Sequence, residues 1–248
     1  MTPLEPTFVF LPGLGEDHRS FKHQTAAFPN SYAVDWIDPL SDESLEQYAV
    51  RFAEAIRLEL NRRPVSSVIV CGHSLGGMVA PYVARELDAA GYVLLASIRR
   101  PDQFPNRYYG CWLLTCLCPP LRPFVLFAGQ LLARLLTCFP WVLRWFIDPK
   151  VVRAFIKTPL PRLSRLTRMM LHWAYRRRLP EENIRAFSRP VLQVHGTNDW
   201  LLPIRLTNPD IRIENGGHIL TFTYPERINE ILGRFADELR LNGSFHNV

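Results

Sequence analysis

The chain has 248 residues, 48% of them hydrophobic, which is enough to bury a core without disulfides or metal and argues against disorder. Its formal charge of +6 is unevenly placed: residues 99–185 hold 14 Arg and 2 Lys against Asp102, Asp148, Glu181 and Glu182, a net of +12, so the remainder carries −6. The apolar stretch Cys111–Ile147 is broken by Pro119, Pro120, Arg122, Pro123, Arg134, Pro140 and Arg144, which excludes the ~18 uninterrupted apolar residues of a membrane span.

Thr7–Leu11 is a short β-type run ended by Pro12-Gly13-Leu14-Gly15. Tyr32–Ile37 is a second, closed by Asp38-Pro39. Ser41 followed by Asp42 and Glu43 then reads as a helix N-cap with acidic residues in the first turn. Leu45, Tyr48, Ala49, Phe52, Ile56 and Leu60 follow at helical spacing and predict an amphipathic helix over 42–62. Val68–Cys71 is a buried strand, and Leu75, Met78, Val79, Tyr82, Val83 and Leu87 mark the next helix. Tyr92–Ala96 is a fourth strand.

From about Ile98 the pattern changes to Pro, Arg and aromatic residues, with helical pieces at Val125–Thr137 and Leu163–Tyr175. The earlier rhythm resumes with strands Val191–Val194 and Ile211–Ile213 and a last helix opened by Pro225. Strand alternating with helix predicts an α/β fold: a mostly parallel six-stranded sheet with helices on both faces. Residues 1–98 and 186–248 form this core, and 99–185, too apolar for a linker, form an inserted helical cap.

Gly72-His73-Ser74-Leu75-Gly76-Gly77 joins a strand to a helix, the context that gives a G-x-S-x-G match its meaning. A serine there must turn sharply, and the flanking glycines remove the side chains that would collide. The turn presents the hydroxyl at a helix N-terminus, where N–H groups favour negative charge. A serine hydroxyl is a poor nucleophile without a base, and the base needs an orienting carboxylate.

On these residues the sequence resembles the α/β-hydrolase family outside the insertion. The resemblance implies a triad in the chain order Ser, acid, His. Asp199 lies in Gly196-Thr197-Asn198-Asp199-Trp200-Leu201-Leu202-Pro203, similar to the family's G-x-x-D-x-x-x-P acid loop, and His218 follows Gly216-Gly217 after the sixth strand. Some relatives carry the acid after the fourth strand, but Ala96-Ser97-Ile98-Arg99-Arg100 has no carboxylate before Asp102. Of the other histidines, His73 is in the elbow, His195 in a strand end, His172 in the cap, His18 and His23 after the first glycine turn, and His246 in the tail.

An oxyanion needs two preorganised N–H donors. The resemblance implies Leu75 for one and Leu14, in a loop similar to the family's His-Gly-x turn with Pro12 in place of His, for the other. The expected reaction is hydrolysis of a carboxylic ester through an acyl-enzyme, with Ser74 as nucleophile, His218 as base and Asp199 as its orienter. A thioester of the acyl-coenzyme A type would suit the same triad and a basic cap. The serine argues against dehalogenation, and C–C cleavage or elimination stays open.

Arg99 and Arg100 leave the fourth strand at the catalytic edge and are candidates for binding an anionic substrate. The cap arginines also read as a solvated lid face or, with Trp112, Phe124, Phe127, Trp141, Trp145 and Phe146, as a peripheral contact with an anionic membrane. No nucleic-acid recognition motif accompanies the charge. A silent binding protein acting through the cap is the reading of another class.

Five cysteines at non-zinc spacing predict free thiols, with Cys71 in the core and Cys111, Cys116, Cys118 and Cys138 in the insertion. No metal or organic cofactor is expected. The N-terminus lacks the pattern of a secretory leader, which predicts a cytoplasmic location.

Overall fold

The computed structural model describes residues 5–110, 112–113, 120–121, 124, 127–128, 131, 157–175 and 189–242. The elements in chain order are β1 (Thr7–Leu11), α1 (Lys22–Ala27), β2 (Tyr32–Ala33), α2 (Leu45–Leu60), β3 (Val68–His73), α3 (Leu75–Glu86) and β4 (Gly91–Leu95). After them come α4 (Leu160–Tyr175), β5 (Val191–Gly196), β6 (Ile211–Ile213), α5 (Leu220–Thr223) and α6 (Pro225–Leu241).

The six strands form one sheet in the order β2-β1-β3-β4-β5-β6, and every pair is parallel. Parallel strands put all their C-terminal ends on one edge. The chain moves from β1 outward to β2 and then back across to β3, so β1 and β3 flank the point where the winding reverses. Ligand crevices of open α/β sheets form at that point.

Period-2 alternation divides the core between the two faces. Val9, Leu11, Val70, Tyr92 and Leu94 pack with α2 and α3 residues such as Phe52, Ile56, Met78 and Tyr82. Phe8, Phe10, Ile69, Cys71, Val93 and Leu95 pack with Ile228, Ile231, Leu232 and Phe235 of α6. Near-continuous apolar strands such as Val68–Cys71 are therefore buried on both sides.

Several boundaries differ from the sequence expectation. β2 ends at Ala33 rather than Ile37 because Trp36 turns into the core against Tyr48 and Phe52, and its indole donates to the Gly13 carbonyl at 2.9 Å. Helix α2 starts at Leu45, capped by Ser44 rather than Ser41. Ser44 Oγ accepts from Gln47 N at 3.2 Å and Gln47 Oε1 accepts from Ser44 N at 3.0 Å, so one reciprocal box satisfies two donors that Ser41 would leave open. β3 and β5 each run two residues further than expected, to His73 and Gly196.

Helix α4 lies on the α2–α3 face, with Leu166, Met169 and Trp173 in that cluster. Trp173 Nε1 donates to Tyr82 Oη at 3.1 Å, and Tyr175 Oη donates to the Pro105 carbonyl at 2.7 Å. Three arginines one turn apart face the loop after β2. Arg162 Nε pairs with Asp38 at 2.6 Å, Arg165 donates to the Pro39 carbonyl at 2.9 Å, and Arg168 bonds the Ser41 carbonyl and lies 3.5 Å from Asp42. Part of the uneven charge is thus matched within the molecule.

Cys71 is a buried free thiol whose pKa is raised by desolvation. The other four cysteines, most of the predicted helix Val125–Thr137 and the junction at 185–186 lie outside the described residues. No helix among the described residues is long and apolar enough to cross a membrane.

Candidate active site

Ser74 sits between β3 and α3 at φ 52, ψ −115, a region that costs a non-glycine residue on the order of 1–3 kcal/mol. Its neighbours hold it there. Ser74 N donates to the Leu95 carbonyl at 3.0 Å, and Ser97 Oγ donates to the Ser74 carbonyl at 2.6 Å. A Cβ at Gly76 would lie 2.2 Å from the Leu11 carbonyl oxygen, so α3 approaches β1 this closely only with glycine there. Gly76→Ala is expected to cost about 3 kcal/mol or more in a denaturant titration, because backbone rather than a flexible side chain must move.

Asp199 and His218 come from loops that follow β5 and β6, and the structure brings both to Ser74. His218 Nδ1 lies 2.7 Å from Asp199 Oδ2, and His218 Nε2 lies 2.9 Å from Ser74 Oγ. The two loops are fastened together. Asn198 N donates to the Gly216 carbonyl at 2.8 Å, and Thr197 N donates to the Ile213 carbonyl at 3.0 Å.

The Asp199 carboxylate is fully committed. Oδ1 accepts from Leu201 N at 2.9 Å and Leu202 N at 3.0 Å, and Oδ2 also lies 3.2 Å from His195 Nε2. Burial alone would raise its pKa, but hydrogen bonds from His195, His218 and the Leu202 backbone outweigh it and hold the group well below the usual carboxylate range. It is therefore an anion throughout neutral pH.

Leu75 N opens the first turn of α3, and Leu14 lies in the loop after β1. Gly13's carbonyl accepts from Trp36 Nε1 at 2.9 Å and from Glu16 N at 3.1 Å. A planar trans peptide then points the Leu14 N–H the opposite way. Thr158 Oγ1, just before α4, reaches the Gly15 carbonyl at 3.4 Å.

The two arginines expected at a substrate anion are occupied by their own chain. Arg99 is paired with Asp210, and Arg100 donates to Asp102 at 3.0 Å. Arg107 and Tyr108 instead reach the acid loop: Arg107 bonds the Trp200 carbonyl and the Leu201 carbonyl, the latter at 2.9 Å, and Tyr108 Oη donates to Leu201 at 3.2 Å. Among the described residues one group could gather round a metal, Asp17, His18 and Asp35. It lies partly exposed, with His18 Nδ1 already 2.8 Å from Asp35 and Asp17 paired with Arg19.

Sequence reasoning missed a second pair beside the first. His73 and Glu16 are both buried, and His73 Nδ1 lies 2.9 Å from Glu16 Oε2. Desolvation would lower the pKa of His73, but the Glu16 charge and hydrogen bond overcome it and raise the group. Desolvation would likewise raise Glu16, and His73 with the Gly13 N–H lowers it.

The pair's effect on stability therefore has two edges. The part from His73 is complete below its ordinary value of 6.5 and is lost as pH rises through the raised value. The part from Glu16 is present above its ordinary 4.5 and is lost as pH falls through the lowered value. Thermal melts are expected to show this contribution whole between those two ordinary values and declining on the alkaline side, a decline absent in Glu16→Gln.

A family model described as "Alpha/beta hydrolase family" matches residues 8–231. The chain belongs to the alpha/beta hydrolase family, and the hydrolase character that goes with it fits the fold and the loops just described. Esterase EstD of Thermotoga maritima is 35% identical over 68 residues, which is 27% of this chain and 16% of that protein. The chain thus matches only a small part of that relative's length.

Among solved structures, lip1 of Acinetobacter baumannii AYE superposes with a TM-score of 0.69 at 18% identity, covering 96% of this chain and 85% of that one. MenH from S. aureus follows with 0.66 at 16% identity, over 95% and 94%. A thermophilic esterase from Thermogutta terrifontis gives 0.62 at 19% identity, over 96% and 92%. At these identities the structural likeness speaks to the fold.

Proposed function

We propose that this chain is a serine hydrolase that cleaves a carboxylic ester through an acyl-enzyme. The observation that carries the reading is the unbroken chain from Asp199 through His218 to Ser74 Oγ, with bonds of 2.7 and 2.9 Å. The esterases among its relatives favour the ester over the thioester.

In this reading Ser74 Oγ attacks the ester carbonyl while His218 Nε2 takes the hydroxyl proton. The tetrahedral oxyanion accepts from Leu75 N–H and Leu14 N–H. Collapse breaks the bond to the alcohol, which leaves with the proton from His218, and the acyl group stays on Ser74. Water then repeats the steps, giving its proton to His218 and releasing the carboxylic acid. Asp199 stays ionised and holds the imidazole with Nδ1 protonated, so Nε2 is free to act as base.

We further read 99–185 as a cap over a core of 1–98 and 186–248, the location as cytoplasmic, and the substrate as a small ester of lipid-like or anionic character. A fluorophosphonate probe tests the chemistry. Peptide mapping is expected to find one adduct, on Ser74; no adduct, or one elsewhere, overturns the reading. A panel of acyl esters and acyl-coenzyme A thioesters then separates the two bonds, and a preference for the thioesters would replace the ester assignment.

A further inference from the structure

His73 presents both ring nitrogens to acceptors. Nδ1 faces Glu16 Oε2 at 2.9 Å, and Nε2 faces the backbone carbonyl of His218 at 2.8 Å. A backbone carbonyl can only accept, and Glu16 Oε2 already accepts from Gly13 N–H, so the geometry calls for hydrogen on both ring nitrogens. The ring is an imidazolium, fully enclosed, with a carboxylate as counter-ion.

This pair touches two parts of the site at once. On one side Glu16 Oε2 also accepts from Gly13 N at 2.9 Å, which fixes the Pro12–Gly13 peptide, while Trp36 holds the Gly13 carbonyl of the next peptide, the one that carries the Leu14 N–H. On the other side His73 holds the His218 carbonyl, and the two imidazole rings lie 5.1 Å apart. His73 is also the residue immediately before Ser74. One ion pair therefore reaches the loop offering the Leu14 N–H, the nucleophile and the base.

We infer that Glu16 and His73 are positioning residues, a buried imidazolium–carboxylate clamp that sets the oxyanion loop and the His218 loop in register around Ser74. The inference rests on the serine-hydrolase reading above. The titratable groups facing the clamp are His218 and Asp199, from the loops after β6 and β5, and no proton moves through the clamp during turnover. Its role is to hold distances in which a 1 Å error costs on the order of 100-fold.

The test uses the intact chain, Glu16→Gln, His73→Asn and the double variant, with a p-nitrophenyl acyl ester and the fluorophosphonate probe. Each single variant is expected to lose about 100-fold in kcat and in labelling rate, with KM changed less than about 3-fold, at a temperature where melting shows it folded. The double variant is expected to be no worse than the poorer single one, because both remove one clamp. Nitrogen NMR of the wild-type chain is expected to show both His73 ring nitrogens protonated at neutral pH, and Glu16→Gln is expected to lose that signature.

Wild-type rates in either single variant, additive losses, or a bare ring nitrogen on wild-type His73 would overturn the clamp. Should a variant fail to fold, the wild-type NMR decides alone. Absence of labelling in the wild-type chain would instead count against Ser74 as nucleophile, and the NMR would still test the clamp.

Discussion

Ser74→Ala is expected to lower kcat on an activated ester by about a millionfold, the loss seen when a triad nucleophile is removed and only binding and oxyanion stabilisation remain. That corresponds to about 8 kcal/mol of activation free energy. The hydroxyl is the only atom deleted, and Gly72, Gly76 and the bonds from Ser97 and Leu95 still shape the turn. The fold should therefore survive.

Ser74→Gly gives a second readout. Both variants lose the bond to His218, but glycine also relaxes the backbone at φ 52. Ser74→Gly is expected to be more stable than Ser74→Ala by about 1 kcal/mol in a denaturant titration, once the extra chain entropy of glycine is set against the relieved strain. Equal stabilities would mean that the elbow is not strained.

Asp199→Asn is expected to cost about 10⁴-fold in kcat at neutral pH. The new amide would offer N–H to His218 Nδ1, which turns the imidazole to the tautomer with its proton on Nε2. That nitrogen then faces Ser74 Oγ as a donor and cannot accept its proton. The amide oxygen can still accept from Leu201 and Leu202, but the NH₂ would face His195 Nε2 at the 3.2 Å now held by a carboxylate oxygen. A stability loss of about 1–3 kcal/mol is expected beside the kinetic one.

The parts of the fold that depend on local pattern were legible in the chain. Apolar runs and helical spacing placed six strands and the helices α2, α3, α4 and α6, because burial imposes a pattern that the residues carry, whereas the short α1 was not read. Ser74, Asp199 and His218, which the structure brings together, could be picked out through glycine spacing and loop order. Other features depend on partners far away in sequence. Tyr32–Ile37 read as one strand, but whether Trp36 joins the ladder or the core depends on Phe52 and Gly13, which lie in other elements.

The Glu16–His73 pair spans 57 positions and has no periodic signal. A glutamate directly after a glycine turn looks like a solvated charge until the fold encloses it. Arg99 and Arg100 were placed correctly at the exit of β4, but a carboxylate at Asp210 could not be matched to Arg99 by spacing. Ser41 and Ser44 both resemble caps, and the Gln at 47 was the local clue that distinguishes them.

The fastening of α4 separates two kinds of inheritable change. Its arginines grip Asp38 and the Pro39 and Ser41 carbonyls, and its aromatic end grips Tyr82 and Pro105. Among the described residues, these bonds do not involve Ser74, Asp199 or His218. Residues along α4 and the 38–42 loop can therefore be exchanged together, by drift or by grafting from a relative, while the bonds among the three stay intact.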